Sequence, residues 1–181
     1  EILSGLVGSE MCIRDSLIHW PWPQGGLYVE TFEEMARLQG MGQIASIGVA
    51  NFYEETLQEL MAKTGIVPVL NQVELHPGFT QPGLREFHDN HDIVTEAWSP
   101  LARGVILNNP EVAAVAEKHG ITPGQAVLAY LMAKGISVIP KSSRRERLEE
   151  NFAAATIELT REDIEVLDSL DGREGFGRMF K

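Results

Sequence analysis

The chain has 181 residues, 44% of them hydrophobic and 23% charged, with a formal net charge of -11. That is the composition of an ordinary globular domain, and its charge has the wrong sign for general nucleic-acid binding, which wants a basic face. No apolar stretch reaches the ~20 residues needed to cross a bilayer, and the opening EILSGLVGSEMCIRDS lacks the basic segment and apolar core of a secretory signal.

In chain order, short apolar runs rich in β-branched residues alternate with segments of helical period. LIHW (17–20) is the first strand candidate, followed by a helix over YVETFEEMARLQGMG, which aligns Val29, Phe32, Met35 and Leu38 and ends on glycines. IASIGVAN (44–51) is the second strand, and YEETLQELMAKTG, ending on Gly65, the second helix. VPVLNQVEL (67–75), a short helix over 81–91, and IVTEAW (93–98) come next. Two helices are expected within 110–135, the second with Thr122 as N-cap and Pro123 at the first helical position. A strand ISVIPKS (136–142) precedes two last helices, RRERLEENFAAA and TREDIEVLDSL, the latter with Thr160 as N-cap and Asp163 three residues on. Near-continuous apolar strands suit a parallel sheet covered on both faces. Repeated βα units build either a doubly wound sheet or a (β/α)8 barrel. Five strands are too few to close such a barrel.

Several apparent motifs carry bland readings. GMGQIA (40–45) matches a dinucleotide pattern, but a helix precedes it and a strand follows, the reverse of what the fingerprint needs; Gly40 and Gly42 read as a helix stop. HDNHD (88–92) places His88 and His91 at one helix end with no third ligand cluster nearby, so a solvated surface is expected and no metal site. His76, before Pro77, reads as structural. Cys12 is the only cysteine, so no internal disulfide forms, and a reducing, cytoplasmic setting is expected.

The polar residues at strand ends say more. His19, Asn51, Gln72, Ser99 and Lys141 each fall at or near the C-terminal end of an expected strand, where βα barrels assemble their chemistry. Lys141, Arg144, Arg145 and Arg147 gather after the last strand and open a helix, whose first N–H groups and dipole favour an anion. Hydroxyls from Ser142 and Ser143, together with arginine forks, suit a phosphate monoester. A solvated charge run and a Schiff-base role for Lys141 are the alternatives.

Taken in order, LIHWP, IASIGVANF, LNQVELHP, TEAWSPLARG and VIPKSSRRERLEENF resemble the second half of an aldo-keto reductase, with the nearest likeness to bacterial 2,5-diketo-D-gluconate reductases. The resemblance runs from about Leu17 to Asp171 and implies an α/β fold, a (β/α)8 barrel of which about five units are present. It implies an NADPH-dependent oxidoreductase that reduces aldehyde, ketone or keto-sugar carbonyls, with a non-catalytic NADP(H)-binding relative as the alternative. Carried over by position, His19 is the catalytic histidine that orients the substrate carbonyl, and Trp20 walls the substrate pocket. Asn51 and Gln72 hold the nicotinamide carboxamide, and Trp98 stacks on its ring. Ser99 and Leu101 follow the pyrophosphate. Lys141, Ser142 and Arg147 clamp the 2′-phosphate, and Asn151 meets the adenine. The implied partner is a small carbonyl substrate; the sequence predicts no particular protein partner, and a monomeric full-length protein is expected.

Departures from the pattern carry consequences. Ala50 stands where many relatives have Ser, removing one hydrogen bond worth about 0.5–1.5 kcal/mol. Nothing matches the family's catalytic Asp, Tyr and Lys, and Tyr28, Tyr53 and Tyr130 fall in or beside expected helices. A general acid typically contributes about 10²–10⁴-fold, so the 181-residue chain is expected to be an inactive fragment. Residues 1–16 resemble nothing in the family and are expected to be non-native flanking sequence ahead of a 17–181 domain; an alternative N-terminus is the competing reading.

Overall fold

The structure, a computed structural model, describes residues 13–172. Its strands are β1 (Ile13–Ile18), β2 (Ile44–Ala50), β3 (Leu70–Glu74), β4 (Val94–Trp98) and β5 (Ser137–Val138). They form one sheet hydrogen-bonded in chain order, β1-β2-β3-β4-β5. The helices are α1 (Tyr28–Gly40), α2 (Glu54–Thr64), α3 (Pro82–Asp89), α4 (Pro110–His119), α5 (Pro123–Ala133), α6 (Arg145–Ala153) and α7 (Arg161–Asp168). Two compact units divide the chain: one runs to Asn71 and adds Glu86–Val94, the other comprises Gln72–Arg85 and Thr95 onward.

In the first unit, β1 and β2 run parallel in a register that sets Asp15 beside Ser46 and Leu17 beside Gly48. Strand β1 starts at Ile13 rather than at Leu17, because ladder pairing requires backbone groups and not apolar side chains. Strand β2 is buried continuously from Ile47 to Ala50, as expected of a strand covered on both faces. A β-carbon on Gly48 would stand 2.8 Å from the Leu70 carbonyl oxygen and 2.7 Å from Leu17 Cδ2, so only glycine fits there. Tyr28, Phe32 and Met35 form the buried stripe of α1, and the Tyr28 ring meets Phe52 edge-on at 5.6 Å. The helix ends at Gly40 and Gly42 takes φ 73, confirming the glycines as a stop.

The surface expected for His88 is wrong. Its side chain is fully buried, with Nε2 3.0 Å from the Asn71 amide nitrogen. That same nitrogen donates to the Phe52 carbonyl at 2.8 Å. The cause is tertiary: the last turn of α3 packs its polar ring against a buried asparagine that needs a second acceptor. His91 is half-buried and stacks on Phe87 at 4.2 Å.

In the second unit, β4 and β5 are parallel, with Glu96 beside Ser137 and Ala97 beside Val138. Strand β5 is far shorter than 136–142. Ile139 N–H still donates to the Ala97 carbonyl at 3.3 Å beyond the two residues of the strand. Helix α5 buries every residue from Ala126 to Leu131, and an all-round apolar helix belongs in a core. Its Thr122 cap and that of α7 at Thr160 both form complete capping boxes, as the sequence implies. By contrast α6 buries nothing and leaves Leu148 and Phe152 exposed. No helix among the described residues is long and apolar enough to cross a membrane.

Candidate cofactor site

Each expected site residue has a place set by its element. In the first unit, β2 ends at Ala50 and the chain turns at once, with Asn51 in the left-handed region at φ 62. Asparagine tolerates that conformation better than most residues. The buried Asn51 donates from Nδ2 to the His19 carbonyl at 2.9 Å, tying the end of β2 to the residue just past β1. The His19 ring is exposed and lies edge-on to Trp20 at 6.1 Å.

In the second unit, Gln72 lies mid-strand in β3 and donates to Glu96 Oε1 at 2.8 Å, while Ser137 donates to the other oxygen at 3.1 Å. A polar ladder thus crosses β3, β4 and β5. Trp98 closes β4, and after it the backbone enters the left-handed region at Ser99 (φ 53), Ala102 (φ 46) and Arg103 (φ 53). Such conformations cost free energy in residues with a β-carbon and concentrate at functional sites.

Two cavities lie beyond this loop. A cavity of about 440 Å³ is lined by Lys141, Ser142, Arg147 and Asn151, with Thr122 and Glu150 among their neighbours. A smaller one of about 350 Å³ is lined by Ser99, Leu101, Ile139 and Lys141. Ser99, Leu101, Lys141, Ser142, Arg147 and Asn151 therefore gather around two cavities that share lining residues. Ser142 Oγ accepts the Arg144 N–H at 3.1 Å, turning the chain into α6, whose N-terminus has no side-chain cap. Within the basic cluster, Arg145 pairs with Glu149 at 2.8 Å and Arg144 lies 3.7 Å from Glu146. Lys141 and Arg147 have no carboxylate partner among the described residues. Together with Arg103, those two are the cations that line the larger cavity. Its one acidic group, Glu150, accepts a hydrogen bond from Thr122 Oγ1.

The tyrosines are committed elsewhere. Tyr130 is buried in α5 and donates to Asp168 at 2.5 Å; burial and that carboxylate push its phenol well above the usual range. Burial, and then the Glu59 carboxylate, raise Tyr28 to about 12. Tyr53 is the N-cap residue of α2. Among the described residues no group of three His, Cys, Asp or Glu could hold a metal ion.

Comparison with known proteins decides the family, because the profile of the Aldo/keto reductase family matches residues 16–172. The chain belongs to the aldo/keto reductase family. It is 48% identical over 161 residues to an aldo-keto reductase of Mycobacterium sp. (strain KMS), a match that covers 89% of this chain and 58% of that relative. It is 42% identical over 156 residues to 2,5-diketo-D-gluconic acid reductase B of Corynebacterium sp. (strain SHS752001), covering 86% and 56%. Among solved structures, a variant of Gox0644 in complex with NADPH is 43% identical with a TM-score of 0.89, over 93% of this chain and 61% of that one. This aldo/keto reductase chain thus spans well under two thirds of the length of these relatives. Its parallel strands and helices match the corresponding part of their (β/α)8 barrel.

Three polar or charged residues at the cavities escape the sequence reading of the site: Arg103, Thr122 and Glu150. Arg103 stands inside the quoted TEAWSPLARG segment, and a cation just after a strand end in so acidic a chain was the available signal. For Thr122 and Glu150 only the tertiary packing brings α5 beside α6.

Proposed function

We propose that this chain carries the 2′-phosphate and adenosine end of an NADP(H) site, and that the complete enzyme reduces aldehyde, ketone or keto-sugar carbonyls. One observation supports this best: Lys141 and Arg147, without carboxylate partners among the described residues, line one cavity with Ser142 and Asn151. The chemistry of that donor set fits the cofactor. A phosphate monoester takes charge-assisted hydrogen bonds from a guanidinium fork and an ammonium, and a hydroxyl completes its shell. Asn151 offers both a donor and an acceptor to a purine edge. Ser99 and Leu101 would follow the pyrophosphate, Asn51 and Gln72 the carboxamide, and Trp98 the nicotinamide face, while His19 and Trp20 would meet the substrate. When bound, the cofactor supplies a hydride. Exposed at the end of β1, the His19 imidazole would orient the carbonyl oxygen by a hydrogen bond.

The chain's own contribution, in this reading, is binding and orientation and not proton delivery, because its tyrosines lie in or at the start of helices and two are held far from neutral-pH chemistry. Its single cysteine, Cys12, agrees with a reducing cytoplasm. The test is calorimetric titration of the 181-residue chain and its Arg147→Ala variant with NADPH and with NADH. Loss of a charge-assisted contact of about 1.5–3 kcal/mol should weaken NADPH about 10- to 100-fold and leave NADH unchanged. Equal affinity of wild type and variant for NADPH sinks the assignment.

A further inference from the structure

We infer that Glu96 is a positioning residue for the nicotinamide end of the cofactor, because it fixes which way the Gln72 side-chain amide points. The inference rests on the NADP(H) reading above, in which Gln72 meets the carboxamide, and gives Glu96 a role exerted through Gln72. Gln72 Nε2 donates to Glu96 Oε1 at 2.8 Å, and Ser137 Oγ donates to Oε2 at 3.1 Å. The carboxylate is thus held at both oxygens, and the β4–β5 register sets Ser137 directly beside Glu96. An amide can present either its oxygen or its nitrogen to a neighbour, and beside a hydroxyl both orientations make a hydrogen bond. A carboxylate only accepts. Beside Glu96 the Gln72 nitrogen must therefore face the ladder, and Oε1 must point away from it.

Strand geometry ties this ladder to the site. Along β4, Thr95 and Ala97 are buried, whereas Glu96 and Trp98 alternate with them onto the more open face. Glu96 therefore stands two residues, about 7 Å, before the tryptophan that closes the strand. Gln72 lies between buried Asn71 and Val73 in β3 in the same alternation. A nicotinamide on the Trp98 face carries a carboxamide with one amino group and one oxygen. With Oε1 directed outward, Gln72 accepts from the amino group, and the carboxamide turned by half a rotation would set oxygen against oxygen. Glu96 thus selects one carboxamide rotamer. Both of its own hydrogen bonds come from neutral donors, and among the described residues no cation pairs with it. Replacing such a pair of polar groups by apolar ones can be nearly neutral for stability, so the direction imposed on Gln72 is what accounts for a carboxylate at this position.

Titration of the 181-residue chain with NADPH and with 2′-AMP, which lacks the nicotinamide, separates this role from a structural one. Glu96→Leu, which removes the acceptor, should weaken NADPH about 2- to 10-fold, the effect of one neutral hydrogen bond, and leave 2′-AMP unchanged. Glu96→Gln, which accepts through its own amide oxygen, should recover most of the loss. In a Gln72→Ala background, Glu96→Leu should change NADPH affinity no further, since no amide is left to direct. Weakening of 2′-AMP in step with NADPH would overturn the inference and make Glu96 a residue of the fold alone. An equal further loss in the Gln72→Ala background would overturn it by showing that Glu96 acts without Gln72. Unchanged NADPH affinity in Glu96→Leu would overturn it outright. NADPH binding that Gln72→Ala does not weaken would leave the 2′-phosphate site standing and still overturn the inference. Failure of the wild-type chain to bind either NADPH or 2′-AMP would remove the NADP(H) reading, and this inference with it.

Discussion

His88 shows how a single residue can mislead when read along the chain. Two histidines and two aspartates within HDNHD look like an exposed, polar helix end. In the fold His88 is fully buried and faces the Asn71 amide at 3.0 Å, while Asn71 also holds Phe52 by both backbone groups. Because the Asn71 nitrogen donates, His88 Nε2 must accept, which requires the neutral ring with its proton on Nδ1. Replacing the ring with an apolar one of similar bulk would leave a buried N–H without an acceptor, a penalty of about 1–3 kcal/mol. His88→Leu is therefore expected to lower the denaturant midpoint in urea unfolding while leaving the slope unchanged. Retained stability would show that His88 is only a filler. At this scale, chemistry-bearing residues in ordered motifs were legible, since His19, Asn51 and Lys141 do follow strand ends. The burial of His88 was not, because its partner lies on another element.

Helices carry their own start and stop signals, and those were legible in full where side chains within three residues decide them. Thr160 and Asp163 cap α7 reciprocally, and Asp163 also receives Lys118 at 2.8 Å and His119 at 2.7 Å. The capping box could be read from TREDIEV; the two side chains from α4 could not. Burial opposes ionisation of Asp163, but hydrogen bonds from Lys118, Thr160 and His119 prevail and hold its carboxyl well below the ordinary 3.8. Its folded pKa lies below the unfolded one, so the stabilisation is complete above about pH 4. It is lost progressively as pH falls from there through the folded value. Thermal melts between pH 7 and pH 2 should therefore fall steeply in acid, and Asp163→Asn should melt lower at pH 7 with a shallower decline below pH 4. Parallel acid profiles for the two proteins would contradict this. Strand lengths were less legible than helix ends. Strand β5 spans only Ser137–Val138, whereas ISVIPKS reads as one continuous apolar run.

For the whole molecule, the sharpest expectation concerns turnover. The tyrosines are spread over α1, the start of α2 and α5, and Tyr130 spends its hydroxyl on Asp168, which Lys134 also holds at 2.6 Å. Proton donation by a phenol raised this far contributes little near neutral pH. NADPH mixed with the 181-residue chain and a reactive aldehyde should be oxidised no faster than in buffer, although the same chain binds the cofactor by calorimetry. Robust oxidation would show that a different group here supplies the proton. The order of strands and helices, the parallel α/β class and the caps of α5 and α7 were determined by the sequence alone, because apolar period, proline and short-range hydrogen bonds act within one turn or one strand. Only the tertiary structure decided which basic residues face a cavity. Arg144 and Arg145 have carboxylate neighbours on their own helix, whereas Lys141 and Arg147 have none among the described residues and join Arg103 from a distant loop. Charge spacing along a chain cannot report that sorting, since it depends on which side chains the packing of α5, α6 and the loop after β4 brings within reach of each other.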